Sequence, residues 1–342
     1  MSILQLPPEL LLRVAAYLTT PELGYLKRTC TQIEDTLFPS FAREFFTKRQ
    51  FMIEHISLQA LVDIANNPKL SPWVSEVIID LNRFNIEATR DVLRKTRIFQ
   101  LMHKYGHYSS DLLLCTGKAF EMLVEAFSEL KNLHVVDLRD FSAKGRARDG
   151  DVPWKSWGWS YHRAIPLSEW NREHGQIIPA HGHPLFPMLL HALARANAKP
   201  ATIQVFLRSR SWNGVGVAPS VFGLSNSAVE PSIEIVLRGL TTLMLTIAEA
   251  EYRVDHAEDT GSSKSARIEA YESPLRLLLQ STHNLEHLRL NFDQRQWYGC
   301  AFLGWLGQPA SVTGISFTNL TNLDLGKSSF QSNQRLPWTR CL

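Results

Sequence analysis

The chain has 342 residues, 44% of them hydrophobic and 20% charged, with a formal net charge of only +3. This is too apolar for an extended disordered chain, and so small a positive balance without a clustered Lys/Arg run argues against a nucleic-acid partner. No apolar run reaches the ~20 residues needed to cross a bilayer, so no membrane partner is expected.

The first fifty residues predict three short helices. In LPPELLLRVAAYL, Pro7 and Pro8 suit a helix start, and Leu11, Val14, Ala15 and Leu18 recur at i, i+3, i+4 and i+7. Thr20-Pro21-Glu22 reads as an N-cap, a first-turn proline and an acidic first turn, and Leu23, Leu26 and Cys30 continue that helix's apolar side. A third element, roughly 40–49, carries Phe41, Phe45 and Phe46. Three such helices make a very small core, and units below about 70 residues rarely hold without help. The rest of the chain, or a partner, is expected to cover their apolar surface.

From about residue 57 helices alternate with short apolar strands. Residues 57–66 predict a helix stopped by Pro68, and VSEVIIDL alternates Val77, Ile79 and Leu81. Long helical stretches are expected near 88–105 and 111–129, followed by LKNLHVVDL with Leu130, Leu133, Val136 and Leu138. The same rhythm returns at Leu237, Leu240, Leu243, Leu245, at Leu285, Leu288, Leu290, and at Leu320, Leu323, Leu325; IQVFL (203–207) reads as a further strand. Leu-x-x-Leu-x-Leu sets alternate leucines of a short strand under a stacked helix. The intervals are long and irregular beside the roughly 20–29 residues of a regular leucine-rich repeat, so an irregular leucine-rich-repeat-like α/β array is expected. Its last strand, followed by a short tail interrupted by Pro337, is expected to be an exposed edge. Two polar segments, 144–153 (KGRARDGDVP) and 252–267, read as long loops, the first expected in solvent.

The N-terminal segment LPPELLLRVAAYLTTPELGYLKRTCTQI resembles the F-box motif without a gap. Leu6, Pro7, Glu9 and Leu10 match its opening, Val14 and Leu18 its first helix, and Leu23, Leu26 and Cys30 its second. It departs from the family pattern at Thr29, where valine is usual, and at Ile33, where tryptophan is common. The resemblance implies a small all-α F-box domain over 1–50 that binds the Skp adaptor and, through it, a cullin scaffold. Residues 51–342 are then the region that recruits a protein substrate, whose identity the sequence does not encode. The chain would be the non-catalytic substrate receptor of a ubiquitin ligase; adaptor-bound scaffolding without ubiquitin transfer is compatible with the same residues.

Two other clusters bear on function. WKSWGWSYHRAIPLSEW places Trp154, Trp157 and Trp159 close together, as candidate substrate-binding residues or as a satellite apolar cluster against the array. His174, His181, His183 and His191 lie in a Pro/Gly-rich stretch and raise an alternative, a metal-dependent or hydrolytic enzyme built around 162–191. They lack the spacing of HExxH, and the chain has no GxSxG elbow, phosphate loop or dinucleotide motif. No metal, no other cofactor and no catalytic residue is therefore expected. The four cysteines (Cys30, Cys115, Cys300, Cys341) are scattered with no CxxC pair, which points to the cytoplasm or nucleus.

Overall fold

Proline and threonine set the helix boundaries at the N-terminus. The computed structural model describes residues 3–81, 110–142, 145–150, 156–157, 185–208, 210–211, 214–215, 217, 219–222, 231–247, 273–292, 298–313, 315 and 317–326. Helix α1 (Pro8–Ala16) opens on Pro8 after the extended Pro7. Helix α2 (Thr20–Lys27) is capped by Thr19, one residue earlier than the sequence suggests. Both the N–H and the hydroxyl of Thr19 donate to the Glu22 carboxylate at 2.8 Å, and these bonds hold that carboxyl below its ordinary pKa.

Helix α3 (Thr31–Phe46) begins nine residues earlier than the expected third element. Its buried stripe, Ile33, Leu37, Ala42 and Phe45, runs straight through Pro39, whose ring removes one backbone hydrogen bond. Burying that stripe outweighs the missing bond. After Thr47 the chain enters β1 (Lys48–Met52) directly, so the expected domain boundary at residue 50 falls inside a strand.

The rest is α/β, with a seven-stranded sheet: β1, β2 (Glu76–Asp80), β3 (Val135–Arg139), β4 (Thr202–Phe206), β5 (Thr242–Ile247), β6 (His287–Phe292) and β7 (Asn322–Gly326). All pairs are parallel and the strand order is the chain order. The crossovers carry helices. Helix α4 (His55–Ala65) follows β1; α5 (Ser110–Cys115) and α6 (Lys118–Glu129) precede β3; α7 (Leu185–Arg195), α8 (Pro231–Arg238) and α9 (273–280) precede β4, β5 and β6; α10 (Tyr298–Leu306) and the short α11 (Ala310–Thr313) precede β7. The helix expected over 111–129 is broken between α5 and α6 at Gly117, whose φ of 72° is left-handed backbone open to glycine. Helix α4 packs on α6, α6 on α7 and α7 on α8, a row of helices matching the order of strands.

The leucine rhythm is the buried side of this sheet. Val77, Val136, Ile203, Leu243 and Leu288 share one rung, and Ile79, Leu138, Val205, Leu245 and Leu290 the next; all are buried. Leu323 and Leu325 continue both rungs into β7 but are only partly buried. β7 pairs with β6 alone among the described strands, as expected of an edge.

Entry into β2, β3, β5, β6 and β7 repeats one device. The carbonyls of Thr47, Ser75, Ala201, Thr241 and Glu286 each accept two N–H groups from the next strand's first residues. The hydroxyls of Ser75, Thr241 and Thr321 donate to the same carbonyls of the preceding unit at 3.0–3.3 Å. Asn132 Nδ2 reaches back to the Pro72 carbonyl at 2.7 Å, and Asn284 Nδ2 to that of Arg238 at 2.8 Å. Asn132 begins Asn-Leu-x-x-Val and Asn284 begins Asn-Leu-x-x-Leu, so the rhythm carries a polar staple beside its apolar core.

Candidate functional site

Helix α1 is apolar on two sides. Leu11 and Ala15 face the interior of the helical unit, with Leu23, Ile33, Leu37 and Phe45. Leu10, Val14 and Tyr17, at i, i+4 and i+7, form a second stripe that faces outward, Leu10 at 46% exposure and Val14 at 44%. Among the described residues eleven large hydrophobic side chains are exposed, and seven belong to this unit: Ile3, Leu4, Leu10, Leu12, Val14, Tyr17 and Tyr25.

The residues expected to contact an adaptor divide accordingly. Pro7, Glu9, Leu10 and Val14 are exposed and Leu6 is half-buried. Leu23, at 3% exposure, is core, and Leu18, Leu26 and Cys30 pack partly buried against that core, so these four shape the unit from behind. Val14, which the i, i+3, i+4, i+7 periodicity groups with Leu11, Ala15 and Leu18, is exposed, because Leu11 and Ala15 already fill the interior of the unit. Tyr17, Tyr25 and Leu12 were not foreseen. Their signal was available: PELLLRVAA holds more apolar residues than one buried stripe uses. Ile33, where the resembling family commonly has tryptophan, is buried inside the unit.

Polar bonds fasten the unit to the array. The segment expected to lie in solvent, 144–153, contains a 3-10 turn, Ala147–Asp149, seated between the helices. Arg148 is 9% exposed; its guanidinium grips both oxygens of Glu44 on α3 at 2.5 Å and donates to the carbonyls of Ala15 at 3.0 Å and Leu18 at 2.7 Å, at the end of α1. The N–H and hydroxyl of Thr20, at the start of α2, donate to Asp149 at 3.0 and 2.5 Å. Burial pushes the Asp149 carboxyl up, but these bonds and the charges of Arg146 and Arg148 outweigh it and hold the carboxyl below its ordinary range. The Arg146 guanidinium sits 4.2 Å from the centre of the Phe45 ring. A segment rich in charge is thus drawn out of solvent by helix ends more than a hundred residues away, whose carbonyls and N–H groups need partners.

Of the tryptophans singled out as substrate-binding, Trp157 is described and Trp154 and Trp159 lie outside the described residues. Trp157 pairs with the outer side of β1: its N–H donates to the Gln50 carbonyl at 2.8 Å, and its own carbonyl accepts from the Ser57 hydroxyl at 2.7 Å. Its ring lies 4.7 Å from the Arg49 guanidinium. It therefore helps close an edge of the sheet while remaining partly exposed. His174, His181 and His183 also lie outside the described residues, and His191 is on α7.

A second surface forms at the carboxyl ends of the strands. Residues one place beyond the rung of Leu138, Val205, Leu245 and Leu290, and its continuation Leu325, turn to the other face: Arg139, Phe206, Thr246, Asn291 and Gly326. With Phe141, Arg208, Arg289 and Phe292 they line an open cleft of about 510 Å³. A methyl group on Gly326 would overlap the end of the Asn291 side chain, which would have to turn aside. Arg139 is engaged by Asp137 and, at 3.6 Å, by Glu76, which also pairs with Lys48 at 2.5 Å. Burial pushes the Asp137 carboxyl up to about 7 against the pull of Arg139. The Arg208 guanidinium stacks 3.7 Å from the Phe141 ring centre while its backbone N–H donates to both oxygens of Asp140 at 2.8 and 3.1 Å. None of these residues belongs to a local motif. The signal was positional, the residue after the last leucine of each rhythm unit.

No protein-family model, curated protein or solved structure matches the chain. No helix of the described residues is long and apolar enough to cross a membrane.

Proposed function

We propose that the chain is the substrate-recognition subunit of a Skp–cullin–F-box ubiquitin ligase. Its N-terminal helices dock on the Skp adaptor, and the leucine-rich-repeat-like array holds a target protein. The observation that carries this reading is the outward apolar stripe of α1. A unit of three short helices that spends Leu11, Ala15 and Leu23 on its own core still exposes Leu10, Leu12, Val14, Tyr17 and Tyr25. Surface of that kind on a small unit marks a protein-binding face, and it coincides with the segment that resembles the F-box. The chain itself performs no chemistry in this role.

Co-purification of adaptor and cullin with the full chain tests it. The double substitution Leu10→Arg/Val14→Arg leaves the interior of the unit intact and should weaken adaptor binding by about a hundredfold or more, the effect of losing two interface anchors. Unchanged adaptor recovery with that variant, or no adaptor with the native chain, would sink the proposal.

A further inference from the structure

The outer face of β1, β2 and β3 carries a chain of charges. Lys48 on β1 pairs with Glu76 on β2 at 2.5 Å, Glu76 lies 3.6 Å from the Arg139 guanidinium, and Arg139 binds Asp137 on its own strand. One guanidinium thus stands between two carboxylates. Asp137 is fully buried, and its two oxygens are unlike. Oδ2 accepts both the Nε–H and an Nη2–H of Arg139, whereas Oδ1 has no hydrogen-bond partner among the described residues. A bare anionic oxygen sealed from water is costly, so Oδ1 is a ready seat for a proton.

A proton there changes what Arg139 is offered. Oδ2 becomes the oxygen of a neutral acid, and a charged acceptor binds roughly twice as strongly as a neutral one. The Glu76 carboxylate, 3.6 Å away, is then the stronger partner. Glu76 is level with Val135, nearer the strand starts. A move to it draws the guanidinium away from the cleft at the strand ends, where it stands 5.6 Å from the Phe141 ring centre and 5.9 Å from that of Phe206. We infer that Asp137 is a proton switch for Arg139: ionised, it holds the guanidinium in the wall of the cleft, and protonated, it releases it to Glu76. The switch goes beyond the receptor reading and does not rest on it. Burial pushes the Asp137 carboxyl up to about 7, against the pull of Arg139 and Lys48 and with a push from Glu76, so the two states exchange near neutrality. The other ionisable groups beside this chain, among the described residues, have their own bonds. Asp80, opposite Arg139 in the register, accepts the Ser156 hydroxyl; Asp140 accepts the Arg208 backbone N–H, and the Arg208 guanidinium stacks on Phe141.

The test is a pH titration of the full chain by NMR, with isotopically labelled aspartate and arginine, the two resonances being assigned by their loss in Asp137→Asn and Arg139→Lys. The Asp137 carboxyl and the Arg139 Nε should shift together, with one shared midpoint at about pH 7. In Asp137→Asn the Arg139 resonance should stay at its low-pH position throughout. Glu76→Gln removes both the like charge and the second seat, so it should lower the Asp137 midpoint and shrink the Arg139 shift. Lys48→Met removes a cation and should raise the midpoint. The inference is overturned by an Asp137 carboxyl that titrates in the ordinary range near about pH 4, by an Arg139 resonance that does not follow it, or by Glu76→Gln leaving both curves unchanged. Should Glu76→Gln fail to fold, Lys48→Met decides: a midpoint that stays in place or falls overturns the switch.

Discussion

The two regions of this chain solve opposite problems. The array buries nearly every leucine of its rhythm between sheet and helices and presents polar and charged residues on its remaining face. The helical unit has too little interior to do so: half of α1 is turned to solvent, and its hold on the array is largely through hydrogen bonds. A region that is apolar within and polar without is finished by its own folding. One that is apolar on both sides is finished only by something else, and the difference is readable from which side chains each can cover.

Substitutions at equivalent leucines should expose that contrast most sharply. Leu245→Ala, in the middle of the sheet, should cost about 2–5 kcal/mol in a denaturant melt, the range for opening a cavity in a packed core. Leu10→Ala should leave the same melt within about 0.5 kcal/mol, as an exposed position does. Equal losses would mean that α1's outer face is covered after all.

The fastening between the regions comes next. Arg148→Ala strips partners from Glu44 and from the last carbonyls of α1. It should destabilise the helical unit by about 2 kcal/mol, the scale of hydrogen bonds to charged groups. Hydrogen exchange should rise in α1–α3 while β3–β6 stay protected. Uniform loss of protection across both regions would show that they unfold as one body.

The smallest effect concerns the array's own buried acid. Asp137 has its folded-state pKa raised by burial to about 7 from 3.8. The folded form therefore holds its proton more tightly, and the group's contribution to stability is full below pH 3.8 and lost as pH rises through about 7. Asp137→Asn, which mimics the protonated acid, should raise the melting temperature at pH 8 and leave it nearly unchanged at pH 4. A gain of the same size at both would assign the effect to packing.

The leucine rhythm located β3, β5, β6 and β7, and apolar runs located β2 and β4, because a parallel strand buried under helices must be apolar at alternate positions. β1 escaped notice because Lys48, Arg49 and Gln50 are polar. Their partners come from afar: Glu76 for Lys48, the Trp157 ring for Arg49, and the Phe141 carbonyl at 3.0 Å for Gln50. The docking turn was misjudged for the same reason. Arg148 and Asp149 look like solvent residues until helix ends from the first forty residues arrive beside them. The first two N-terminal helices were legible, but not the division of their apolar residues into inner and outer, which depends on where α3 lies. The arginines of the cleft belong to three units far apart in sequence, and only the strand register brings them together.

The Arg148 clamp also fixes a length. A flexible joint between helices and sheet would let anything held at one wander relative to anything held at the other, and effective concentration falls as the volume explored grows. Here one guanidinium closes four bonds across the joint and a carboxylate closes two more. That makes the molecule a ruler where a linker would have made it a tether.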